Sequence, residues 1–178
     1  MSRPVLVDTC TIVNFAAIGR LDLLEEALSG CGHWTEAAAR EVHCAADHHP
    51  ALWSVAVAGW LGEPLEPSGA GDADENFQLQ RQLGGMRREP RQHLAEAESI
   101  HMILRSPQYA GAVLLTDDRP AGDLAVKRGV EVWLSTDLLA QAFSDGHIGC
   151  PAAYELLLDM DQAGRGVHVP PDHQRVCP

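Results

Sequence analysis

Lysine is nearly missing from this 178-residue chain: twelve of its 13 basic residues are arginine, and 25 Asp and Glu leave a formal net charge of −12. That balance excludes general adhesion to nucleic acid or anionic membrane over the whole surface, while a local arginine patch stays suited to phosphate. Also missing is any apolar run of 18 residues, so no segment reads as membrane-spanning. The apolar N-terminus has a single arginine before it and Asp8 inside it, a poor match to a secretion leader. The five cysteines (Cys10, Cys31, Cys44, Cys150 and Cys177) are odd in number and lack a CxxC pair; they read as reduced thiols of a cytoplasmic protein. Neither GxGxxG nor GxxxxGK[ST] nor GxSxG occurs, which removes the usual nucleotide loops and the nucleophile elbow.

What is present alternates between strand and helix. A strand at Val5–Asp8 runs into the helical stretches TIVNFAAIG and LDLLEEALSG, each closed by glycine. A weak strand near His33–Trp34 leads to TEAAAREVHCAA, with Thr35 as N-cap. A short helix is expected after Pro50, an extended edge from Trp60, and a loop at PSGAGDADENF followed by helix ENFQLQRQL. RQHLAEAESIHMILR is a clear helix, AVLLT a buried strand, RPAGDLAVKRG a helix and VEVWL another strand. Ser135 is expected to cap TDLLAQAFSDG, and Pro151 to open the last helix, PAAYELLLDM. This pattern predicts an α/β fold, a Rossmann-like three-layer α/β/α sandwich with a mostly parallel sheet. Residues 1–162 form a single domain containing a loop-plus-helix insertion at 62–92, and 163–178 form a loosely ordered tail.

Two strand-like runs, VLVDTC and AVLLTDD, end in carboxylates: Asp8 in the first, Asp117 and Asp118 in the second. In open α/β sheets ligands bind beyond the carboxyl ends of the strands, so both runs deliver acid to one place. Glu41 lies in the helix after Thr35, and Glu96 and Glu98 lie early in the AEAESI helix. Residues two apart on a helix point about 200° from each other. Glu96 shares its face with Ile100 and Ile103, so it is read as pointing inward, and Glu98 toward a solvated edge. Crowded carboxylates repel unless a cation neutralises them, and oxygen-only ligands suit Mg²⁺ or Mn²⁺. Such a cation polarises phosphoryl oxygens and activates water, which makes phosphodiester hydrolysis the natural reaction class.

At these residues the chain resembles the PIN-domain nucleases. VLVDTCTIVNFAAIGRLDLL resembles their first strand and helix pair, LAEAESIHMIL the GEAEAI-type helix of the toxin branch, and VLLTDDRPAGDLAVKRGVEV that branch's strand, acidic turn and helix. The three stretches occur in the expected order and span about residues 4–146, with Ala95 where that branch commonly has glycine. The resemblance implies a PIN-like sandwich, Mg²⁺- or Mn²⁺-dependent endoribonuclease activity, a homodimer, and a toxin paired with an antitoxin protein. It implies Asp8, Glu41, Glu96 and Asp118 as catalytic metal ligands, with Asp117 a less favoured neighbour of Asp118. Asn14 would orient Asp8 or a metal-bound water. Glu36 competes with Glu41 if the register shifts.

Arg81, Arg87, Arg88 and Arg91 precede the Glu96 helix and are candidates to grip RNA phosphates; the bland reading is a solvated loop. HCAADHHP lacks the second half of a zinc site and reads as a helix end. Trp34, Trp53, Trp60 and Trp133 read as core or dimer-interface residues. A catalytically idle PIN-like protein-binding module, or a DNA nuclease, are the alternatives to the ribonuclease.

Overall fold

A computed structural model describes residues 3–67, 69, 71–86, 88–89 and 91–177. Its elements run β1 (Val5–Val7), α1 (Thr9–Ala17), α2 (Leu21–Leu28), β2 (Gly32–His33), α3 (Glu36–Ala45), α4 (Trp53–Ala58), α5 (Asp72–Gln82), α6 (Leu94–Arg105), β3 (Val113–Leu115), α7 (Arg119–Lys127), β4 (Glu131–Trp133), α8 (Ser135–Ser144) and α9 (Ala152–Gln162). The four strands form one sheet in the order β2-β1-β3-β4, every pair parallel.

Alternation along the two central strands divides the core. Val5, Val7, Val113 and Leu115 face a layer that includes α1, α2, α8 and α9. Leu6 and Leu114 face α5, α6 and α7. Covering both faces makes each central strand an unbroken apolar run, as both read in the sequence. The α/β/α sandwich is therefore the fold, with β1 and β3 at its centre. At β2, Gly32 leaves room for Leu28 and Leu61; an added Cβ would lie 2.9 Å from a methyl of each.

The order of the strands decides where a site can form. The chain leaves β1 toward β2 on one side, then returns to lay β3 on the other side of β1. Between the carboxyl ends of β1 and β3 lies the switch point where α/β sheets open a crevice. Pairing continues past the strands there: Asp8 N donates to Leu115 O at 3.0 Å, and Thr116 N to Trp133 O at 2.9 Å. Asp8, Thr116 and Leu134 thus stand side by side.

Several local expectations change. The edge expected from Trp60 reduces to a single parallel bridge between Leu65 and Thr35, because Gly59 and Gly62 turn the chain. Helix α5 begins at Asp72, inside the stretch read as loop. Leu134, not Ser135, occupies the N-cap of α8, with its N–H bonded to Asp137 Oδ2 at 2.9 Å. Pro151 precedes α9 as its N-cap. Trp34 is buried and donates to Gly62 O, Trp60 and Trp133 are partly buried, and Trp53 is exposed.

Two expectations about the C-terminal region are overturned. Cys150 and Cys177 form a disulfide, with Cα atoms 5.9 Å apart, so the five cysteines are not all reduced. The tail expected to be loose is packed: Val176 and Cys177 are buried, Tyr154 Oη donates to Pro170 O at 2.9 Å, and Thr136 Oγ1 donates to His168 O at 2.5 Å. Spacing in sequence carries no trace of these long-range contacts. Among the described residues no helix is long and apolar enough to cross a membrane.

Candidate active site

Asp8 ends β1 and caps α1, and both jobs follow from an extended backbone with a short carboxylate. Its Oδ1 accepts from Thr9 N at 2.8 Å; its Oδ2 accepts from Thr116 Oγ1 at 2.7 Å and Cys10 Sγ at 3.0 Å. The side chain is buried. Desolvation and the nearby negative charge of Glu96 push its pKa up to about 6, against the pull of those three donors.

Glu41 comes from the second turn of α3. Burial is again the main cause of its shift, followed by repulsion from Glu96, Asp8 and Glu98, and its pKa is pushed up to about 7. Thr9 lies close enough for its hydroxyl to favour the ionised form. That hydroxyl is buried without a well-formed hydrogen bond among the described residues. Glu96, in the first turn of α6, completes the group and receives a 3.2 Å contact from His93 Nδ1. Three acids from three elements thus share one electrostatic neighbourhood at the carboxyl end of the sheet.

Glu98 departs from the sequence reading. It is buried, not solvated, and its Oε2 accepts from Ala37 N at 3.1 Å, satisfying the first turn of α3. The reason is that α6 packs on more than one side: Ala95, Ala97, Glu98, Ser99, Ile100, His101 and Ile103 are all buried. Face arithmetic distinguishes inward from outward only when one face is covered.

The acids after β3 have other duties. Asp117 is buried and accepts from Asn14 Nδ2 at 2.8 Å, Ser135 N at 3.0 Å and Ser135 Oγ at 2.5 Å. Burial raises its pKa while those donors oppose the rise. Asp118 caps α7, accepting from Ala121 N at 2.7 Å. Neither is among the charges that shift Asp8 or Glu41 most. Asn14 holds Asp117, not Asp8, and its Oδ1 accepts from Arg165 Nε at 2.8 Å. Glu36, the register alternative to Glu41, lies at the first position of α3.

Among the arginines, Arg91 reaches the acids: it lines a cavity of ≈ 180 Å³ with Glu41, Arg40, Ala37, Cys44 and Leu94. Arg40 was missed in the sequence, although its place one residue before Glu41 was the available signal. Arg81 is exposed at the end of α5, Arg88 is exposed with a 4.0 Å contact to Glu89, and Arg87 lies outside the described residues. His43 sits edge-on against Trp53 with centroids 4.5 Å apart, at a helix end as expected.

The donor set suits a hard divalent cation. Its oxygens are carboxylate, two of the three acids are held toward the neutral form by burial and mutual repulsion, and the buried Thr9 hydroxyl lies beside Glu41 without a well-formed hydrogen bond among the described residues. Among the described residues, no three His, Cys, Asp or Glu side chains converge closely enough to grip an ion as they stand. No family model matches the chain, and no match is found among curated proteins or solved structures.

Proposed function

We propose that the chain is a PIN-type endoribonuclease dependent on Mg²⁺ or Mn²⁺. The observation that carries this reading is the shared electrostatic neighbourhood of Asp8, Glu41 and Glu96 at the carboxyl end of a parallel sheet, where burial first, and then neighbouring carboxylate charge, raise the pKa values of Asp8 and Glu41. Asp8, Glu41 and Glu96 would hold the cation, with Asp118 at the margin of the set and Asp117 in a supporting place. When bound, the cation supplies Lewis-acid stabilisation of a phosphodiester and a nucleophilic water at neutral pH. The chain's own residues do the rest. Thr116, Cys10 and the N-terminus of α1 orient the Asp8 carboxylate. Arg40 and Arg91 offer positive charge beside Glu41 for the phosphate backbone.

This reading extends to a cytoplasmic protein, homodimeric, acting as the toxin of a toxin–antitoxin pair. Its test is cleavage of single-stranded RNA in Mn²⁺. The parent cuts, and Asp8→Asn lowers the rate at least about 10²-fold while keeping the fold. Equal rates for the two proteins would overturn the mechanism. If millimolar Mn²⁺ leaves thermal stability untouched and no RNA is cut, the idle binding module takes its place; cleavage of DNA alone would favour the DNA nuclease.

A further inference from the structure

Arg165 is the feature of the site that the acids leave unexplained. It stands between Gly164 and Gly166, just past α9, and is half-buried. Its Nε–H donates to Asn14 Oδ1 at 2.8 Å, and Asn14 in turn donates to Asp117 at 2.8 Å. Asp117 N donates to Cys10 Sγ at 3.4 Å, and that sulfur touches Asp8 Oδ2 at 3.0 Å. Arg165 is therefore four contacts from the acid that opens the site, along an unbroken chain of polar groups.

Among the described residues Arg165 has no carboxylate partner, and Nε is its only engaged side-chain nitrogen. Arg40, Arg81, Arg91, Arg119, Arg128 and Arg175 also lack a carboxylate partner among the described residues, but all six are exposed, whereas Arg165 is half-buried. Arg3, Arg20, Arg88 and Arg105 all lie within 4.0 Å of a carboxylate. An arginine fork with both terminal nitrogens unspent is a receptor for a tetrahedral oxyanion.

The tail is built to hold it there. Arg165 N donates to Met160 O at 3.0 Å, and Val167 N returns to Arg165 O at 2.9 Å. Beyond it, Thr136 in the first turn of α8 fixes His168, Tyr154 fixes Pro170, and the Cys150–Cys177 disulfide closes the segment. Thr136 follows Ser135, which holds Asp117. The tail thus crosses the carboxyl edge of the sheet, the edge on which Asp8 and Asp117 lie.

We propose that Arg165 is a phosphate-binding residue for single-stranded RNA, carried to the acidic site by the C-terminal segment. The assignment rests on the ribonuclease reading for its ligand, and binding tests it separately from cleavage. Fluorescence anisotropy of a labelled single-stranded RNA, with Ca²⁺ as the divalent ion, is measured for the parent, Arg165→Ala, Arg165→Lys and Arg175→Ala. Arg175→Ala removes the same charge from an exposed position of the tail. Arg165→Ala should weaken binding about tenfold and flatten the log–log salt slope by about 0.7. Arg165→Lys should keep the slope, and Arg175→Ala should bind as the parent does.

Parent-like binding by Arg165→Ala overturns the proposal, as does an unchanged salt slope, an equal loss in Arg175→Ala, or a slope lost in Arg165→Lys. A parent that binds through Arg165 but cuts nothing refutes the nuclease and leaves the anion site. A parent that cuts RNA while Arg165→Ala binds as tightly refutes the anion site alone. A parent that neither binds nor cuts refutes both.

Discussion

At the scale of single residues, Asp8 has two opposed roles. Its carboxylate is satisfied by three donors, yet burial and Glu96 make its ionised form costly. A folded-state pKa raised from 3.8 to about 6 means that the native state favours the protonated acid. Its stabilising contribution is therefore complete below about pH 3.8 and is lost as pH rises through about 6. Asp8→Asn should then stabilise the metal-free protein at pH 7.5 by about 1–3 kcal/mol and give no gain at pH 3.5, as read by urea unfolding at both values. If the proposed nuclease reading holds, the same substitution should remove cleavage, so that stability and activity move in opposite directions. Glu41, raised from 4.5 to about 7, adds a second expectation. On the proposed reading, in which both acids hold the ion, affinity for Mn²⁺ should climb steeply between about pH 5.5 and 7.5 as they lose their protons, and calorimetry across that range would follow it.

Glu96 and Glu98 illustrate what the sequence could and could not reveal. Helical periodicity read Glu96 as inward with Ile100 and Ile103; it is half-buried, less covered than Glu98, and its charge bears on Asp8 and Glu41. The same periodicity misplaced Glu98, whose bond to Ala37 N depends on the packing of α3 against α6. Asp8 was legible because an apolar strand running into an acid is a local signal. The partners of Asn14 and Asp117 were not, since they come from residues 165 and 135.

At the scale of elements, the two central strands explain why the fold was readable. VLV and VLL are buried on both faces, and continuous apolar triplets between helices have few other places in a soluble α/β arrangement. Leu114, fully buried among α6 and α7 residues, should cost about 2–5 kcal/mol when replaced by alanine, measured by chemical denaturation. Ser135 gives a more local test. Its hydroxyl and N–H both serve the buried Asp117, so Ser135→Ala should cost about 1.5–3 kcal/mol. The edges were harder to read because β2 has two residues and the Leu65 bridge one, too few for alternation to mark.

Across the whole molecule, the disulfide joins the end of the tail to the turn before α9 over a separation of 27 residues. Closing a loop of that length is worth about 2–4 kcal/mol. Dithiothreitol, or Cys177→Ser, should lower the unfolding free energy by about that amount. Composition gave no warning of the pairing, because five cysteines without a CxxC allow it and do not require it.

The bond from Ala37 N to Glu98 has a mechanical consequence. It fastens the start of α3 to the second turn of α6, and these are the helices that carry Glu41 and Glu96. The bond thus ties together the two helices whose acids bear electrostatically on Asp8 and on each other. On the proposed metal-dependent reading, Glu98→Ala should loosen the register of Glu41 against Glu96 and weaken Mn²⁺ binding.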